Sequence, residues 1–377
     1  MGQKKIPCVI MRAGTSKGIF LHEKDLPADK EERDQTLLKI FGSPDVRQID
    51  GLGGADPLTS KVAIIAPSEK PGIDVNYTFG QVSITQPLID YSGNCGNISS
   101  GVGPFAIDEG LVEAVEPITT VRIYNTNTGK VLVAEVPVKD GKAMVDGDYS
   151  IDGVPGTGAK IMMDFAGTAG AVTGKILPTG KPKDIFDIPG LGKIEVSIVD
   201  VANPVVFVKA SALGLTGIET PAEIDSNKEM LDLLECIRAK AAVRIGMAKS
   251  EEEATQKSPA FPMLAFVSPA QDYRDYTTGK MIRKQDVDLV SRLMFMQVMH
   301  KTYAGTGTTC TGAAAKIPGT IVNEIVSGTS PLVRIGHPAG VVEIEVVTEK
   351  QGDEVVLKRA ALGRTARRIM SGHVYVR

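Results

Sequence analysis

The chain has 377 residues, 42% of them hydrophobic and 23% charged, with a formal net charge of −3. That length exceeds one ordinary core and suits about two domains of a soluble globular protein. The charge balance and the lack of a dense Lys/Arg stripe argue against a nucleic-acid partner, and no apolar run reaches the ~20 residues of a membrane span.

Residues 6–21, IPCVIMRAGTSKGIFL, read as strand, polar turn, strand. DLPADKEERDQTLLKIFG (25–42) reads as a helix capped by Asp29 and stopped by Gly42. VRQIDGLGGADPLTSKVAIIAPS (46–68) is a glycine-rich loop entering an apolar strand, and VNYTFGQVSI alternates as a strand. The turn YSGNCGNISS then carries Cys95 into a helix expected over 98–113. Short strands with Asn, Gly and Asp turns fill 119–150, and the Gly/Thr/Pro-rich stretch 166–184 is the candidate linker. The pattern then restarts. IEVSIVDVANPVVFVKAS (194–211) is again strand, turn, strand, and 227–248 has helical spacing, with Cys236 among its apolar positions. QDVDLVSRLMFMQVMHKTYA (285–304) is expected as a long Met-faced helix carrying His300. TGTTCTGAAAK (306–316) places Cys310 in a turn ahead of another helix, and strands close the chain, ending in HVYVR. Each half thus shows a hairpin, a helix and a cysteine expected to open a helix, a repeat of pattern that suggests two similar α+β domains.

Cys8, Cys95, Cys236 and Cys310 form no C-x-x-C pair, so the thiols are expected reduced and the location cytoplasmic. The basic N-terminus runs into Arg12 with no cleavage site after it. The four histidines stand apart, so no metal is expected. GLGG (51–54) and GTGTTC (305–310) both fail the dinucleotide fingerprint.

Two cysteines in glycine-rich turns carry the chemistry. A thiol at the head of a helix meets unbonded backbone N–H groups and the positive end of the dipole, which stabilise a thiolate. The same N–H groups hold carboxylates. Together they suit moving a proton alpha to a carboxylate, where preorganised donors and a tuned base are both needed. A small residue in a tight turn is the bland alternative for Cys95 and for Cys310; the pairing of the two favours function. Cys8, in an apolar strand, reads as core. RAGTSKG packs Arg12, Thr15, Ser16 and Lys17 into one turn. Lys61, followed by VAIIA, is a candidate base because burial lowers an amine's pKa, whereas Lys17 reads as a solvated loop lysine. Asn203 occupies the matching turn of the second half, as a carboxylate donor or a turn former.

RAGTSKG, GGADPLTSK, GNCGN and TCTGAAA together resemble the PrpF family of cofactor-independent isomerases. That family includes 3-methylitaconate Δ-isomerase, 2-methylaconitate cis-trans isomerase and 4-oxalomesaconate tautomerase. The likeness covers essentially the whole chain. It implies the diaminopimelate-epimerase fold: two pseudo-symmetric domains, each a sheet wrapped around a central helix, over 1–182 and 183–364, with 365–377 returning to the first. It implies no cofactor, a small dicarboxylate partner, an active site in the cleft and, with the edge strands, a homo-oligomer. Function would fall on Ser16, Lys61 and Cys95, with His300 and Cys310 as further active-site positions. Thr15, Lys17, Asn94, Gly96, Asn97, Asn203, Thr311 and Gly312 would hold substrate. The implied reaction takes (R)-3-methylitaconate to 2,3-dimethylmaleate. The other family substrates, an amino-acid racemase using both Cys95 and Cys310, and a noncatalytic binding protein are the alternatives.

Overall fold

The computed structural model describes residues 2–377 except 327, 329, 352 and 353. It divides into two units, residues 1–163 with 364–377, and residues 164–363. Among the described residues no helix is long and apolar enough to cross a membrane.

In unit 1, β1 (Lys4–Ala13) and β2 (Ser16–His22) form the expected hairpin, followed by α1 (Lys30–Phe41), β3 (Lys61–Pro67) and β4 (Val75–Val82). The unit continues with α2 (Gly96–Asp108), β5 (Ile118–Asn125) and β6 (Lys130–Lys139). Asp29 caps α1 by accepting from Glu32 N at 2.9 Å, and Gly42 ends it in the left-handed region at φ 72°. The sheet runs β1–β2 antiparallel, β2–β3 parallel, β3–β4 antiparallel, β4–β5 parallel and β5–β6 antiparallel. The C-terminal strand Ala366–Val376 pairs with β1. This sheet wraps α2, which is buried from Gly96 to Ile107. Small residues allow the close approach: a Cβ on Gly101 would stand 2.7 Å from Phe20 Cζ, and one on Gly103 2.8 Å from Val136 Cγ2.

Unit 2 repeats the plan. Its elements are β7 (Gly192–Val201), β8 (Asn203–Lys209), α3 (Lys228–Arg244), β9 (Met263–Pro269), β10 (Leu289–Phe295), α4 (Gly305–Lys316), β11 (Leu332–His337), β12 (Gly340–Gln351) and β13 (Glu354–Arg364), whose last residue already belongs to unit 1. From β7 to β12 the pairings again alternate antiparallel, parallel, antiparallel, parallel, antiparallel. The sheet wraps α4, buried from Gly305 to Ala315. Cys236, on α3, packs half-buried against this unit's core, and Cys8 is buried in β1.

Two expectations fail here. Residues 285–304 are not a helix: β10 is followed by the short strand Val298–Met299, and His300 comes after it. All seven β10 residues are buried, Ser291 and Arg292 among them, so its sequence lacks the period-2 alternation of apolar and polar residues that marks a half-exposed strand. The turn between the strands is Met296–Gln297, with φ of 54° and 62°, a left-handed pair made without the glycine or asparagine that would announce it. Second, α4 opens at Gly305, so Cys310 lies inside the helix rather than ahead of it. The Gly/Thr run has poor helix propensity, but the buried axis of the unit demands small residues. A Cβ on Gly312 would come 2.6 Å from Ile344 Cγ2. The threonine hydroxyls bond back along the helix, Thr308 Oγ1 to Ala304 O at 3.0 Å and Thr309 Oγ1 to Gly305 O at 2.9 Å.

Candidate active site

In unit 1 the site gathers where β2, β3 and α2 begin. Lys61 opens β3 beside Gly18 of β2 and opposite Gln81 of β4. Its side chain is buried, and Nζ donates to Gln81 Oε1 at 2.6 Å. Gln81 Nε2 donates to the carbonyls of Pro57 and Ser60, both at 3.1 Å, so its amide is locked with the oxygen toward Lys61. Lys61 also hydrogen-bonds Cys95. Burial pushes its pKa down, and the charges of Cys95 and Asp56 oppose that shift.

Cys95 is the N-cap of α2, and its Sγ accepts from Ile98 N at 3.5 Å. The first-turn N–H groups of Gly96 and Asn97 have no acceptor inside the helix. Asn94 steadies the approach by accepting from Ser99 Oγ at 3.1 Å. Gly18 faces α2, since a Cβ there would lie 2.9 Å from Ile98 Cδ1. Ser16, two residues earlier, shares that face, and Lys17 takes the opposite one. Ser16 Oγ is buried and has no hydrogen-bond partner among the described residues. A buried hydroxyl left unpaired carries a desolvation cost that an incoming acceptor offsets.

Asn97 ties this end of the helix to two other segments. Its Nδ2 donates to Thr15 Oγ1 at 3.1 Å, and its Oδ1 accepts from Arg364 Nε at 3.2 Å. Arg364 is 4% exposed; burial lowers its pKa to about 10, so it stays charged at neutral pH. Gln81 and Arg364 were both missed from the sequence. A strand glutamine carries no motif, and Arg364 lies 267 residues from the asparagine it bonds. The GLGGADPLTS loop packs around buried Gln48, whose Oε1 accepts from Ala55 N at 2.8 Å and Ser60 Oγ at 2.9 Å.

Unit 2, aligned by its own register, has a different set. Asn203 opens β8 as Ser16 opens β2. Met263 pairs with Val205, two residues beyond Asn203, just as Lys61 pairs with Gly18. Continuing the β9–β10 register puts Phe295 where Gln81 stands. The N-cap of α4 is Ala304, in the place of Cys95. The amine, its amide partner and the thiol thus have apolar counterparts. One polar tie is kept with its partners exchanged: Asn203 Nδ2 donates to Thr306 Oγ1 at 3.0 Å, hairpin to first helical turn.

Cys310, six positions into α4's frame, is buried with its Sγ donating to Val199 O at 3.1 Å. Burial pushes its pKa up. The amides of Thr311 and Gly312 fall within the regular i→i−4 ladder, so the expected carboxylate donors there are already used; the first-turn amides of this helix belong to Gly305, Thr306 and Gly307. Thr311 Oγ1 instead meets Tyr303 OH at 2.9 Å, and that hydroxyl meets Ser291 Oγ at 2.7 Å. Burial raises the Tyr303 phenol to about 12. His300 is buried, and its Nδ1 accepts from Thr302 N at 3.1 Å, which leaves the proton of a neutral ring on Nε2.

A small-residue helix wrapped by a sheet, twice over, with a polar head to each helix, defines a diaminopimelate-epimerase-like fold. A hydroxyproline epimerase from Agrobacterium vitis shares it, with a TM-score of 0.60 at 12% identity over 98% of this chain and 92% of that one. The family described as PrpF protein matches residues 3–377, and the chain belongs to that family. It is 64% identical over 376 residues to a 3-methylitaconate isomerase of Eubacterium barkeri, covering 99% of this chain and 98% of the relative. A crystal structure of a methylitaconate-delta-isomerase, also 64% identical, gives a TM-score of 0.81 over 100% of this chain and 96% of that one.

Proposed function

We propose that the protein isomerises (R)-3-methylitaconate to 2,3-dimethylmaleate with its own side chains. The observation that carries this reading is the hydrogen-bonded pair of Lys61 and Cys95, buried at the head of α2. The 64% identical 3-methylitaconate isomerase supports the choice of substrate. One of the pair takes the proton from the carbon bearing the methyl group. The electrons pass into a dienolate that reaches the conjugated carboxylate, and a proton returned to the methylene carbon makes the second methyl. One C–H bond breaks and one forms, so no electron acceptor is called for. Burial favours this in two ways: it lowers the proton affinity of Lys61, and it strengthens every donor aimed at the dienolate oxygens. The Ser16 hydroxyl and the first-turn amides of Gly96 and Asn97 are the donors for a carboxylate.

Proton NMR in heavy water tests the reading directly. With methylitaconate, the methylene signals are expected to vanish as deuterium enters a new methyl group. Turnover of 2-methylaconitate or oxalomesaconate with methylitaconate untouched would move the substrate assignment within the family. Binding of the acids with no deuterium uptake by any would make the protein noncatalytic.

Cys310→Ser distinguishes this chemistry from two-thiol racemisation. We expect kcat/KM within about threefold of wild type, because Cys310 sits inside a helix with its sulfur on a backbone carbonyl. A loss of about 10³-fold or more would instead place that thiol in the chemistry.

A further inference from the structure

We propose that Gln81 is a positioning residue for proton transfer: its side-chain oxygen takes one N–H of Lys61 in either protonation state and so aims the rest of the amine at Cys95 and the substrate. The inference rests on the proposed function. It begins from the strand register, which sets Lys61 of β3 directly opposite Gln81 of β4. Residues paired in this way put their side chains on one face of the sheet, and Nζ donates to Oε1 at 2.6 Å. Gln81 is fully buried, with no surface left for a substrate, so its effect on the reaction passes through Lys61.

The amide can aim the amine because it cannot turn over. Both acceptors of Nε2 are backbone carbonyls of the loop before Lys61, Pro57 O and Ser60 O, each at 3.1 Å. A flipped amide would set its oxygen against those two oxygens and present a donor to Nζ. The loop is held in turn: Ser60 O also accepts from Val82 N at 3.0 Å, and Ser60 Oγ donates to buried Gln48 Oε1 at 2.9 Å. The loop therefore fixes the amide, and the amide fixes the amine. A neutral amine has two hydrogens and one lone pair. With one hydrogen committed to an oxygen that cannot donate, the lone pair and the other hydrogen serve the thiol, to which Lys61 is also bonded, and the substrate. Unit 2 supplies an internal comparison. Where Met263 stands in place of the lysine, Phe295 stands in place of the glutamine, so the amide accompanies the amine.

The experiment follows Gln81→Met by kinetics and by NMR of 13C-labelled lysine side chains, with Lys61→Met identifying the Lys61 signal. Loss of the acceptor should lower kcat for methylitaconate by about 10–100-fold and leave KM within about threefold. The amide oxygen favours the charged amine, as do the charges of Cys95 and Asp56, while burial opposes it. Without that oxygen the Lys61 titration should move down by about one pH unit. Gln81→Glu keeps an oxygen against Nζ and is the rescue: its kcat should stay within about tenfold of wild type, with the Lys61 midpoint at or above the wild-type position. A loss of kcat in both variants with the titration unmoved would make Gln81 structural and overturn the proposal, as would wild-type kcat in Gln81→Met. Should Gln81→Met not fold, Gln81→Glu decides, a lowered midpoint or a kcat loss beyond tenfold counting against the proposal. If wild type turns over none of the family acids, the functional reading fails separately. The titration then still decides for Gln81, an unmoved Lys61 midpoint in Gln81→Met overturning its hold on the amine.

Discussion

Lys61→Met and Cys95→Ala are each expected to lower kcat/KM for methylitaconate by about 10³-fold or more, with native-like melting. A positioned acid or base supplies about 10²–10⁴-fold, and here each member of the pair also orients the other through their shared hydrogen bond. The double variant should therefore be scarcely worse than either single one, because groups acting as a unit are not additive. The pH profile gives a second reading. Burial disfavours the charged amine, so neutral Lys61 is available at lower pH than the roughly 10.4 of an ordinary lysine. If the neutral amine is the working base, kcat/KM rises with pH through that lowered pKa and levels above it. Lys61→Met should erase the limb along with most of the rate. Retention of a tenth of the activity by either single variant would remove that residue from proton transfer.

The largest expected effect on stability falls at Gly14. Its φ of 54° is left-handed, and an added Cβ would stand 2.1 Å from Asn97 Oδ1. Alanine there meets a backbone cost of about 1–2 kcal/mol and also forces Asn97 off its bonds to Thr15 and Arg364. We expect Gly14→Ala to destabilise by about 2–4 kcal/mol in denaturant melts and to lose activity with it. Gly141 is the control: its φ is 70°, but a Cβ there meets nothing within 4 Å, so Gly141→Ala should cost only the backbone part, about 1 kcal/mol. Equal losses at the two positions would show that the contact with Asn97 contributes nothing. The comparison matters for function because the same asparagine joins the hairpin turn, the helix head and the buried arginine.

What could be read early was what local chemistry writes. Asp29 and Gly42 bracket α1 because a cap and a left-handed stop act within a few residues. Cys95 was recognisable because a thiol between Gly-Asn pairs has little apolar company and stands where a helix begins. Lys61 stood out through the apolar strand that follows it, and the hairpins at Ser16 and Asn203 through their strand–turn–strand runs.

The remaining features depend on segments distant in sequence. β10 looked helical because both its faces are covered, which removes alternation, and because its turn uses Met296 and Gln297. Cys310 looked like a twin of Cys95 because glycine and threonine resemble a loop until a sheet closes around them; the observed start of the helix shows that Ala304, its N-cap, is the counterpart of Cys95. The sequence by itself determined the caps of α1, the two hairpins, the family pattern and the cysteine-bearing turn ahead of α2. The tertiary structure decided which half holds the amine and thiol together, that Gln81 orients the amine, and that a strand 267 residues away brings a guanidinium to Asn97. The reason is physical: caps and turns are satisfied by neighbours in the chain, whereas a buried charge is satisfied by whatever the folded sheet places beside it.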